Sequence, residues 1–342
     1  MSKNNKLNNF LSSIEEIVDE ARNGRMYVLV DNEDRENEGD LIIPAQMATP
    51  DAINFMATYG RGLICLSMTK NRIEELELTP MTKRNTGKLD TAFTVSIEST
   101  KDVTTGISAA DRAKTIQVAI DKSSGSLDIR TPGHVFPLMA RDGGVLVRAG
   151  HTEAAVDISR IAGLNPAAVI CEIMKDDGTM ARLKDLIPFC KKHHLKIGSI
   201  SDLIRYRVNN DPIIKRKNSN IINTKKYGKW KIFSYENTVN QNGPEHLALV
   251  KGNLIQSSPA LVRVHVSNFI SDAFNGVIGD KSFISLDESM AEINEQGSGL
   301  IVVINYDDSS HALSKYIDGN DAWNEEDKIR ENGIGAQIIR DQ

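Results

Sequence analysis

The sequence is poor in cysteine and lacks any long apolar run. Its three cysteines, Cys65, Cys171 and Cys190, are odd in number and far apart, which argues against a disulfide framework and against a cysteine-rich zinc site. No stretch approaches the roughly 20 apolar residues that a membrane span requires, and the polar N-terminus lacks the apolar segment of a signal peptide. We therefore expect a cytoplasmic protein that spans no membrane.

The length and the charge limit the possibilities further. The 342 residues carry a net charge of -5, which gives no general attraction to nucleic acid, and their number suggests two domains. Helix and strand signals alternate over residues 1–205, whereas residues 206–229 are rich in asparagine, lysine, isoleucine and serine and have no clear periodicity. We predict an α/β domain over residues 1–207, a linker over 208–228 and a smaller domain over 229–342.

Local signals place several elements of the first domain. Thr49 and Pro50 are typical of a helix start, and Ser108 caps a helix predicted over residues 109–120. Apolar runs predict strands at residues 27–30, 63–68, 92–97, 145–147 and 167–173. This alternation of elements indicates an α/β chain.

Residues 31–40 are strongly acidic and follow the apolar strand 27–30 directly. They carry six carboxylates and one arginine, Arg35. Carboxylates crowded this closely repel one another, so they remain ionised only with a cation, a substrate or an arginine between them. A solvated surface loop is the alternative, but Gly39 and the apolar strands on both sides hold the segment to a sheet edge. The segment therefore predicts a metal and acid/base site.

A second candidate site lies where a strand passes into a helix at residues 148–153. Free amides at a helix N-terminus, together with Gly150, the Thr152 hydroxyl and the Arg148 guanidinium, form a site for a phosphate dianion. His151 lies beside them and can bind a divalent ion through one ring nitrogen. A histidine that only helps to cap the helix is the alternative.

Two single side chains and one loop are further candidates. His134 lies between closely spaced prolines, in a rigid turn that either presents an imidazole to a cleft or holds a structural histidine. Glu172 follows a buried strand at its carboxyl end, where α/β enzymes gather catalytic groups, although a salt-bridged strand end is equally compatible. The basic loop Lys83–Asp90 either closes on a sugar phosphate or is solvated.

Five segments together resemble 3,4-dihydroxy-2-butanone 4-phosphate synthase of riboflavin biosynthesis. In chain order they are residues 34–40 (DRENEGD), 106–112 (GISAADR), 132–137 (PGHVFP), 150–154 (GHTEA) and 176–182 (DDGTMAR). The resemblance covers nearly all of residues 10–207. It implies an α/β sandwich with a mixed sheet, a homodimer, and a lyase that converts D-ribulose 5-phosphate to formate and L-3,4-dihydroxy-2-butanone 4-phosphate. It further implies magnesium or manganese and no organic cofactor.

The resemblance also implies roles for individual residues. The metal ligands would be Glu36 and His151. Substrate contacts are implied for Arg35, Glu36, Asp40, Arg148, Ala149, Gly150, His151, Thr152 and Glu172. Catalytic roles are implied for His134 and Glu172, and proton transfer or hydroxyl contacts are assigned to Glu38 and Asp40. Cys65 corresponds to a cysteine near the site of this family.

The C-terminal region resembles GTP cyclohydrolase II in outline, through residues 261–265 (LVRVH) and 333–339 (GIGAQII). Active cyclohydrolases follow the first landmark with three cysteines that hold zinc, and residues 266–289 contain none. We predict a shortened, degenerate α/β domain that binds no zinc, does not hydrolyse GTP, and serves stability, oligomerisation or regulation. A nucleotide- or partner-binding regulatory module is the alternative.

Overall fold

The computed structural model describes residues 10–33, 35–86, 91–238, 243–254, 259–267, 272, 284–305 and 325–342. Within these ranges, no helix is long and apolar enough to cross a membrane. The chain divides into two compact units, Met1–Tyr206 and Arg207–Gln342. Each unit is built around one sheet.

The first unit contains a mixed sheet of seven strands. In chain order the strands are β1 (Tyr27–Val30), β2 (Gly39–Pro44), β3 (Cys65–Thr69), β4 (Ile97–Ser99), β5 (Ile129–Ala140), β6 (Ala167–Glu172) and β7 (Ile197–Ser199). Their order across the sheet is β4-β5-β3-β6-β2-β1-β7. The pairs β3/β5 and β1/β7 are parallel and the other pairs are antiparallel. The predicted mixed sheet is confirmed.

Among the residues that the structure describes, seven α-helices accompany this sheet. They are α1 (Ile14–Arg22), α2 (Pro50–Phe55), α3 (Lys70–Glu75), α4 (Ala109–Ile120), α5 (His151–Ile161), α6 (Leu183–His193) and α7 (Ile200–Asn210). The predicted caps are present, since the Thr49 hydroxyl accepts from the Ala52 amide and the Ser108 hydroxyl accepts from the Asp111 amide. Side-chain oxygens at these caps satisfy backbone donors that the helices leave unpaired.

The two faces of the seven-stranded sheet carry different side chains. Successive strand residues point to opposite faces, and one face belongs to the main apolar core, where Leu41 of β2 and Cys171 of β6 pack with Ile116 of α4. Alternation therefore turns Asp40 and Glu172 to the other face. Helix α5 packs against β2, β3, β5 and β6 and covers that face. Helices on both faces form the predicted α/β sandwich, which is confirmed.

Two short stretches of the first unit differ from the predicted elements. Residues Gly144–Leu146 form a 3-10 helix instead of the strand predicted over 145–147, and the N-terminal cap of that turn, Gly143, adopts a φ of 91°. The strand predicted over 92–97 is reduced to isolated bridges at Phe93 and Thr94, and regular pairing begins only at Ile97. Apolar character alone does not distinguish a strand from a buried turn.

The second unit contains a five-stranded sheet. Its strands are β8 (Ile214–Thr224), β9 (Gly228–Asn237), β10 (His246–Lys251), β11 (Leu261–Val266) and β12 (Gly299–Ile304), in the order β11-β12-β10-β9-β8. Within its described residues, two helices belong to this unit, α8 (Leu286–Gln296) and α9 (Glu325–Asp341). Trp230, Leu249 and Ile301 lie in its apolar core. The smaller α/β domain predicted for the C-terminal region is present.

The linker predicted over residues 208–228 is wrong for most of its length. Residues 208–210 continue α7, and β8 pairs antiparallel with β9 from Ile214 to Thr224. β8 is an edge strand with most of its side chains exposed on both faces. It therefore lacks the apolar alternation from which a half-buried strand is recognised.

Candidate active site

Asp40 and Glu172 lie side by side at one end of the seven-stranded sheet. Asp40 of β2 is directly opposite Glu172 of β6, and on its other side it is opposite Leu29 of β1. The Leu29 carbonyl accepts a hydrogen bond from Nε2 of His151, the first residue of α5, at 3.2 Å. The sheet register and the start of α5 thus bring two candidate carboxylates and one candidate imidazole together.

His134 belongs to the same end of the sheet. Cys65 of β3 is opposite both Phe136 of β5 and Ile170 of β6. Because β5 is parallel to β3 and β6 is antiparallel to it, stepping back two residues to His134 and forward two to Glu172 leads to the same end and the same face. Strand β3 lies between the strands that carry these two residues.

The acidic loop is organised around Asp31. Its Oδ1 accepts the backbone amide of Glu38 at 2.8 Å, and its Oδ2 accepts the amide of Glu36 at 3.0 Å and Nη1 of Arg35 at 2.8 Å. One oxygen of Asp31, one of Glu36 and one ring nitrogen of His151 lie within 4.8 Å of one another. Since Asp31 already serves three donors of its own loop, we assign it to the shape of the loop.

Arginines supply the positive charge that the crowded carboxylates require. Arg35 Nη1 lies 2.5 Å from Glu36 Oε2, so the predicted substrate contact Arg35 is paired within the loop itself. Arg182 Nη1 donates to the Glu36 carbonyl at 2.6 Å and also to the Asn37 carbonyl, and it lies 3.7 Å from Glu38 Oε1. The sequence did not predict a role for Arg182, although Arg182 is the last residue of the fifth segment, residues 176–182.

The side chains around His151 suit a hard divalent cation. Because a carbonyl only accepts, the bond to Leu29 places the ring proton on Nε2, and Nδ1 of the neutral ring keeps its lone pair. Nδ1 lies 3.7 Å from Glu36 Oε2 and 4.0 Å from Asp40 Oδ1. Carboxylate oxygens are the ligands that magnesium and manganese prefer, and an imidazole nitrogen can complete the ligand set of a divalent ion. The predicted ligands Glu36 and His151 are therefore neighbours.

The electrostatics of this cluster favour a bound cation. Burial disfavours the ionised form of Glu36 and so raises its pKa. The interactions with His151 and Arg35 are stronger than this effect, and they lower the pKa of Glu36 to about 2. Burial also disfavours the charged form of His151, which lowers its pKa, but the negative charges of Asp40, Glu36 and Asp31 raise the pKa to about 9. Burial is the main reason that the pKa of Asp40 is raised far above its usual value. Without a bound metal ion, the protons that the cluster retains offset part of its negative charge.

Metal binding should therefore release protons. A histidine whose pKa is raised is protonated below that pKa, so a divalent ion that used Nδ1 of His151 as a ligand would have to displace its proton at neutral pH. We expect the magnesium affinity to rise between pH 6 and pH 9, by up to ~10-fold per pH unit for one displaced proton. Calorimetric titrations at each pH, in buffers of different ionisation enthalpy, measure this; a binding heat independent of buffer and an affinity independent of pH would contradict it.

Glu38, a predicted catalytic residue, lies at the edge of the cluster. Burial, followed by the negative charge of Glu36, raises its pKa, and Arg182 acts in the opposite direction. Its backbone carbonyl accepts the Asp31 amide at 3.2 Å, which closes the loop onto the start of β2. The hydrogen bonds that shape the loop therefore also position Glu38.

Glu172 is held in place by the segment that precedes β3. The Leu63 amide donates to Glu172 Oε2 at 2.8 Å, and the Gly62 amide donates to the Glu172 carbonyl at 3.2 Å. A Cβ on Gly62 would lie 2.5 Å from Oε2 and 2.6 Å from that carbonyl oxygen, so a larger residue does not fit. Buried Cys65 is nearby; burial, and then Glu172 and Asp40, raise the pKa of its thiol, which stays neutral.

The predicted phosphate segment begins α5, as expected, but its arginine is engaged. Gly150 is the N-cap residue of α5, and Ala149 and Thr152 are buried beside it. Arg148 Nη1 lies 2.6 Å from Glu153 Oε2, and its Nη2 donates to Thr91 Oγ1 at 2.9 Å. A phosphate at this helix N-terminus would share Arg148 with Glu153. Of the loop Lys83–Asp90, residues 87–90 lie outside the described residues.

Comparison with known families identifies the two units. The model of 3,4-dihydroxy-2-butanone 4-phosphate synthase matches residues 15–206, and that of GTP cyclohydrolase II matches residues 215–342. The chain belongs to the 3,4-dihydroxy-2-butanone 4-phosphate synthase family. It is a lyase-type enzyme of riboflavin biosynthesis, as the sequence predicted, with a GTP cyclohydrolase II domain following the synthase domain.

Relatives of the synthase family match almost the whole chain. The 3,4-dihydroxy-2-butanone 4-phosphate synthase of Photobacterium phosphoreum is 46% identical, with 97% of this chain and 91% of the relative covered. The riboflavin biosynthesis protein RibBA of Aquifex aeolicus is 45% identical over 96% of this chain and 84% of its own. Both proteins are similar to the two-unit chain as a whole.

Solved structures agree with both the family and the fold. RibBX of A. baumannii, described as a two-domain 3,4-dihydroxy-2-butanone 4-phosphate synthase, is 41% identical with a TM-score of 0.79, covering 96% of this chain and 90% of its own. A 3,4-dihydroxy-2-butanone 4-phosphate synthase crystallised with two magnesium ions is 37% identical with a TM-score of 0.57, covering 59% of this chain and 99% of its own. The share of this chain that the magnesium-bound structure covers corresponds to the length of the first unit.

Proposed function

We propose that this synthase converts D-ribulose 5-phosphate to L-3,4-dihydroxy-2-butanone 4-phosphate and formate at the end of the sheet where Asp40, Glu172, His134 and His151 converge. The sheet register supports this proposal, because it places Asp40 opposite Glu172 and brings His134 to the same end and face of the sheet, while His151 donates to Leu29, which lies opposite Asp40. The carbon, hydrogen and oxygen atoms of the substrate equal those of the two products. No oxidant or reductant is therefore required.

The fit of Glu36 and His151 to a hard cation supports magnesium or manganese as the metal of this site. When bound, the ion supplies positive charge beside the oxygen atoms of the ketose. Magnesium was present in one solved relative. The proposed metal ligands come from different elements, the acidic loop and α5, so the ion would also fix the loop against the helix.

The remaining side chains account for the proton transfers. Enolisation of the ketose removes a proton from carbon, and loss of water requires one to be donated to a leaving hydroxyl. We assign the carbon-bound proton to His134 and the hydroxyl contacts to Glu172, whose Oε2 is already fixed by the Leu63 amide. Asp40, whose pKa burial raises, is suited to carry a proton at neutral pH. Glu38 contacts a substrate hydroxyl.

The experiment that tests this function is formate release from D-ribulose 5-phosphate by the purified full chain. We expect turnover with magnesium and loss of turnover with excess chelator, restored when magnesium is returned. Well-folded protein that releases no formate with either magnesium or manganese would overturn the proposal. Manganese use, a homodimer, a cytoplasmic location and the absence of an organic cofactor remain predictions.

We further infer that the C-terminal domain does not hydrolyse GTP, although it matches the cyclohydrolase family. Zinc in such enzymes activates water for attack, and thiolates are its expected ligands here. All three cysteines of the chain lie before residue 207 and are buried in the first unit. The two-domain relative from A. baumannii is described as a 3,4-dihydroxy-2-butanone 4-phosphate synthase, which is compatible with this inference.

This inference predicts no GTP turnover by the full chain supplied with zinc. Formate and pyrophosphate release from GTP would be measured beside an active GTP cyclohydrolase II as a positive control. Zinc-dependent turnover would contradict the inference. Calorimetric titration with GTP tests the alternative function, since binding without turnover would identify a regulatory nucleotide site.

A further inference from the structure

The acidic loop is held by one side chain through its backbone amides and by another through its backbone carbonyls. The Asp31 carboxylate accepts the amides of Glu36 and Glu38 at 3.0 and 2.8 Å. The carbonyls of Glu36, at 2.6 Å, and of Asn37 both accept from Nη1 of Arg182. The N–H and C=O groups of a trans peptide point in opposite directions, so Asp31 and Arg182 hold the peptide between Asn37 and Glu38 from opposite sides.

The backbone of Arg182 is fixed at the start of α6. Its amide donates to Asp185 Oδ2 at 3.0 Å, and its carbonyl accepts the amides of Asp185 at 2.7 Å and Leu186 at 2.9 Å. Leu186 is fully buried, and a Cβ on Gly39 would lie 2.4 Å from Leu186 Cδ1. The first turn of α6 therefore packs directly on the residue at which the acidic loop becomes β2. The guanidinium of Arg182 extends from this rigid point to the loop.

The segment before Arg182 is joined to the strand end that carries Glu172. The Ile173 amide donates to the Gly39 carbonyl at 3.0 Å, and the Ile173 carbonyl accepts the Ala181 amide at 3.0 Å. Ile173 follows Glu172 directly, and Arg182 follows Ala181. Arg182 thus connects the acidic loop, which carries one proposed metal ligand, to the end of β6.

The hydrogen bonds of Arg182 are made to the loop backbone and leave the charge of the metal ligand to other groups. The Glu36 carboxylate lies 2.5 Å from Nη1 of Arg35 and 3.7 Å from Nδ1 of His151. Nη1 of Arg182 lies 3.7 Å from Glu38 Oε1, which is longer than a hydrogen bond. Arg182 therefore determines where the loop backbone lies, whereas Arg35 and His151 determine the ionisation of Glu36.

We propose that Arg182 is the positioning residue of Glu36, holding the loop so that the Glu36 carboxylate faces His151 before a metal ion binds. This inference rests on the proposed function, in which Glu36 and His151 bind magnesium or manganese. A loop without this contact would have to be ordered when the ion binds, and the entropy lost in that ordering would weaken binding. Arg182 itself touches neither the ion nor the substrate.

The decisive variant is Arg182→Met, which keeps most of the length of the side chain and removes its charge and its donors. Loss of a group that orients a metal ligand typically costs 10- to 100-fold in metal affinity. We expect the Kd for magnesium, from calorimetric titration of the full chain, to rise by ~10- to 100-fold. At saturating magnesium, kcat for formate release should recover to at least about a third of the wild-type value, because the catalytic groups remain.

Two results would overturn the inference. A Kd for magnesium within threefold of the wild-type value would show that Arg182 does not prepare the site. A kcat that stays below about a tenth of the wild-type value at saturating magnesium would show that Arg182 acts in the chemical steps. If Arg182→Met does not fold, Arg182→Gln, which has a shorter and neutral amide, replaces it under the same threefold criterion.

Hydrogen exchange of the loop gives a readout that depends on neither the metal nor the activity. Two amides of the loop donate to Asp31, so their exchange slows when the loop is fixed. In metal-free Arg182→Met, we expect mass spectrometry to show at least ~10-fold faster exchange for peptides covering residues 31–40, with peptides from α4 unchanged. Wild-type exchange of residues 31–40 would overturn the inference, including in a protein that releases no formate.

Arg72→Met is the matched control. Arg72 also donates to backbone carbonyls of the first unit, to Ala119 at 2.8 Å, Asp121 at 2.7 Å and Ser124 at 3.0 Å, but none of these lies in the acidic loop or in α6. We expect its magnesium Kd within twofold of the wild-type value and the exchange of the loop unchanged, whatever the fall in melting temperature. Equal effects of Arg72→Met and Arg182→Met would overturn the inference, because both would then reflect a general loss of stability.

The wild-type protein separates this inference from the proposed function. Wild-type protein that neither binds magnesium or manganese nor releases formate would identify a failure of the proposed function. The hydrogen-exchange comparison of the wild-type protein with Arg182→Met would still decide whether Arg182 fixes the loop.

Discussion

Glu36→Gln is expected to lower kcat/KM for formate release by at least ~10³-fold, equivalent to about 4 kcal/mol of transition-state stabilisation. The substitution keeps the shape of the side chain but removes the negative charge that faces Nδ1 of His151 at 3.7 Å. The site then loses one of its two proposed metal ligands, which is also one of the two carboxylate partners of Arg35. Formate release across a magnesium titration measures the change, and the half-saturating magnesium concentration should rise in parallel.

The same loop supplies a matched control. Glu33 is exposed, so Glu33→Gln removes one charge from the same acidic segment without touching the cluster. We expect kcat/KM within about twofold of wild type, the usual range for an exposed surface change. His151→Ala should match Glu36→Gln, and the double variant should lose little more, because two proposed ligands of one ion act as a unit. Wild-type magnesium dependence in either single variant would contradict the assignment.

The sequence predicts the acidic loop because crowded charge is visible in the order of the residues. It does not predict how the six carboxylates are divided between shaping the loop and facing His151. Asp31 turns inward and accepts three donors of its own loop, whereas Glu36 and Asp40 face His151. That division depends on where the loop closes on the start of β2, which is a property of the folded backbone.

The contacts of Glu98 and Arg182 are a clearer example of what the sequence does not predict. Glu98 contacts His134 across 36 residues of chain, and Arg182 reaches the Glu36 carbonyl across 146. Both contacts follow from the register and connectivity of the seven-stranded sheet, and no local pattern encodes them. A sequence pattern can show that residues 106–112 and 132–137 matter, but only the structure shows that they meet at one carboxylate.

Arg148 shows a different limit, because residue chemistry predicts its phosphate contact but not its ion pair with Glu153. A guanidinium beside a helix N-terminus is well suited to phosphate, and α5 does begin at His151. In the folded chain, however, Glu153 occupies the first turn of the same helix and pairs with Arg148 at 2.6 Å. The sequence contains both residues, but a helix periodicity of 3.6 does not show which way an arginine before the helix turns.

Gly62→Ala is expected to lower kcat/KM by at least ~10²-fold, although Gly62 carries no functional group. A methyl group there would lie 2.5 Å from Glu172 Oε2, 2.6 Å from the Glu172 carbonyl oxygen and 2.7 Å from its amide nitrogen. Two of these atoms are backbone, so the strand end must shift and the carboxylate moves with it. A misplacement of about 1 Å in a catalytic group can cost this factor. We also expect a lower melting temperature, since overpacking costs about 1–3 kcal/mol.

Magnesium affinity separates this effect from a general loss of structure. Glu36 and His151 lie on other elements, so Gly62→Ala should bind magnesium as the wild type does while releasing formate far more slowly. Gly125→Ala is the control, because a methyl group at Gly125 meets no atom within 4 Å and its φ of -123° suits alanine. Equal activity of the two alanine variants would show that the position of Glu172 does not limit the rate. A slow Gly62→Ala enzyme with intact metal binding would instead place Glu172 in the chemical steps, separate from the metal ligands.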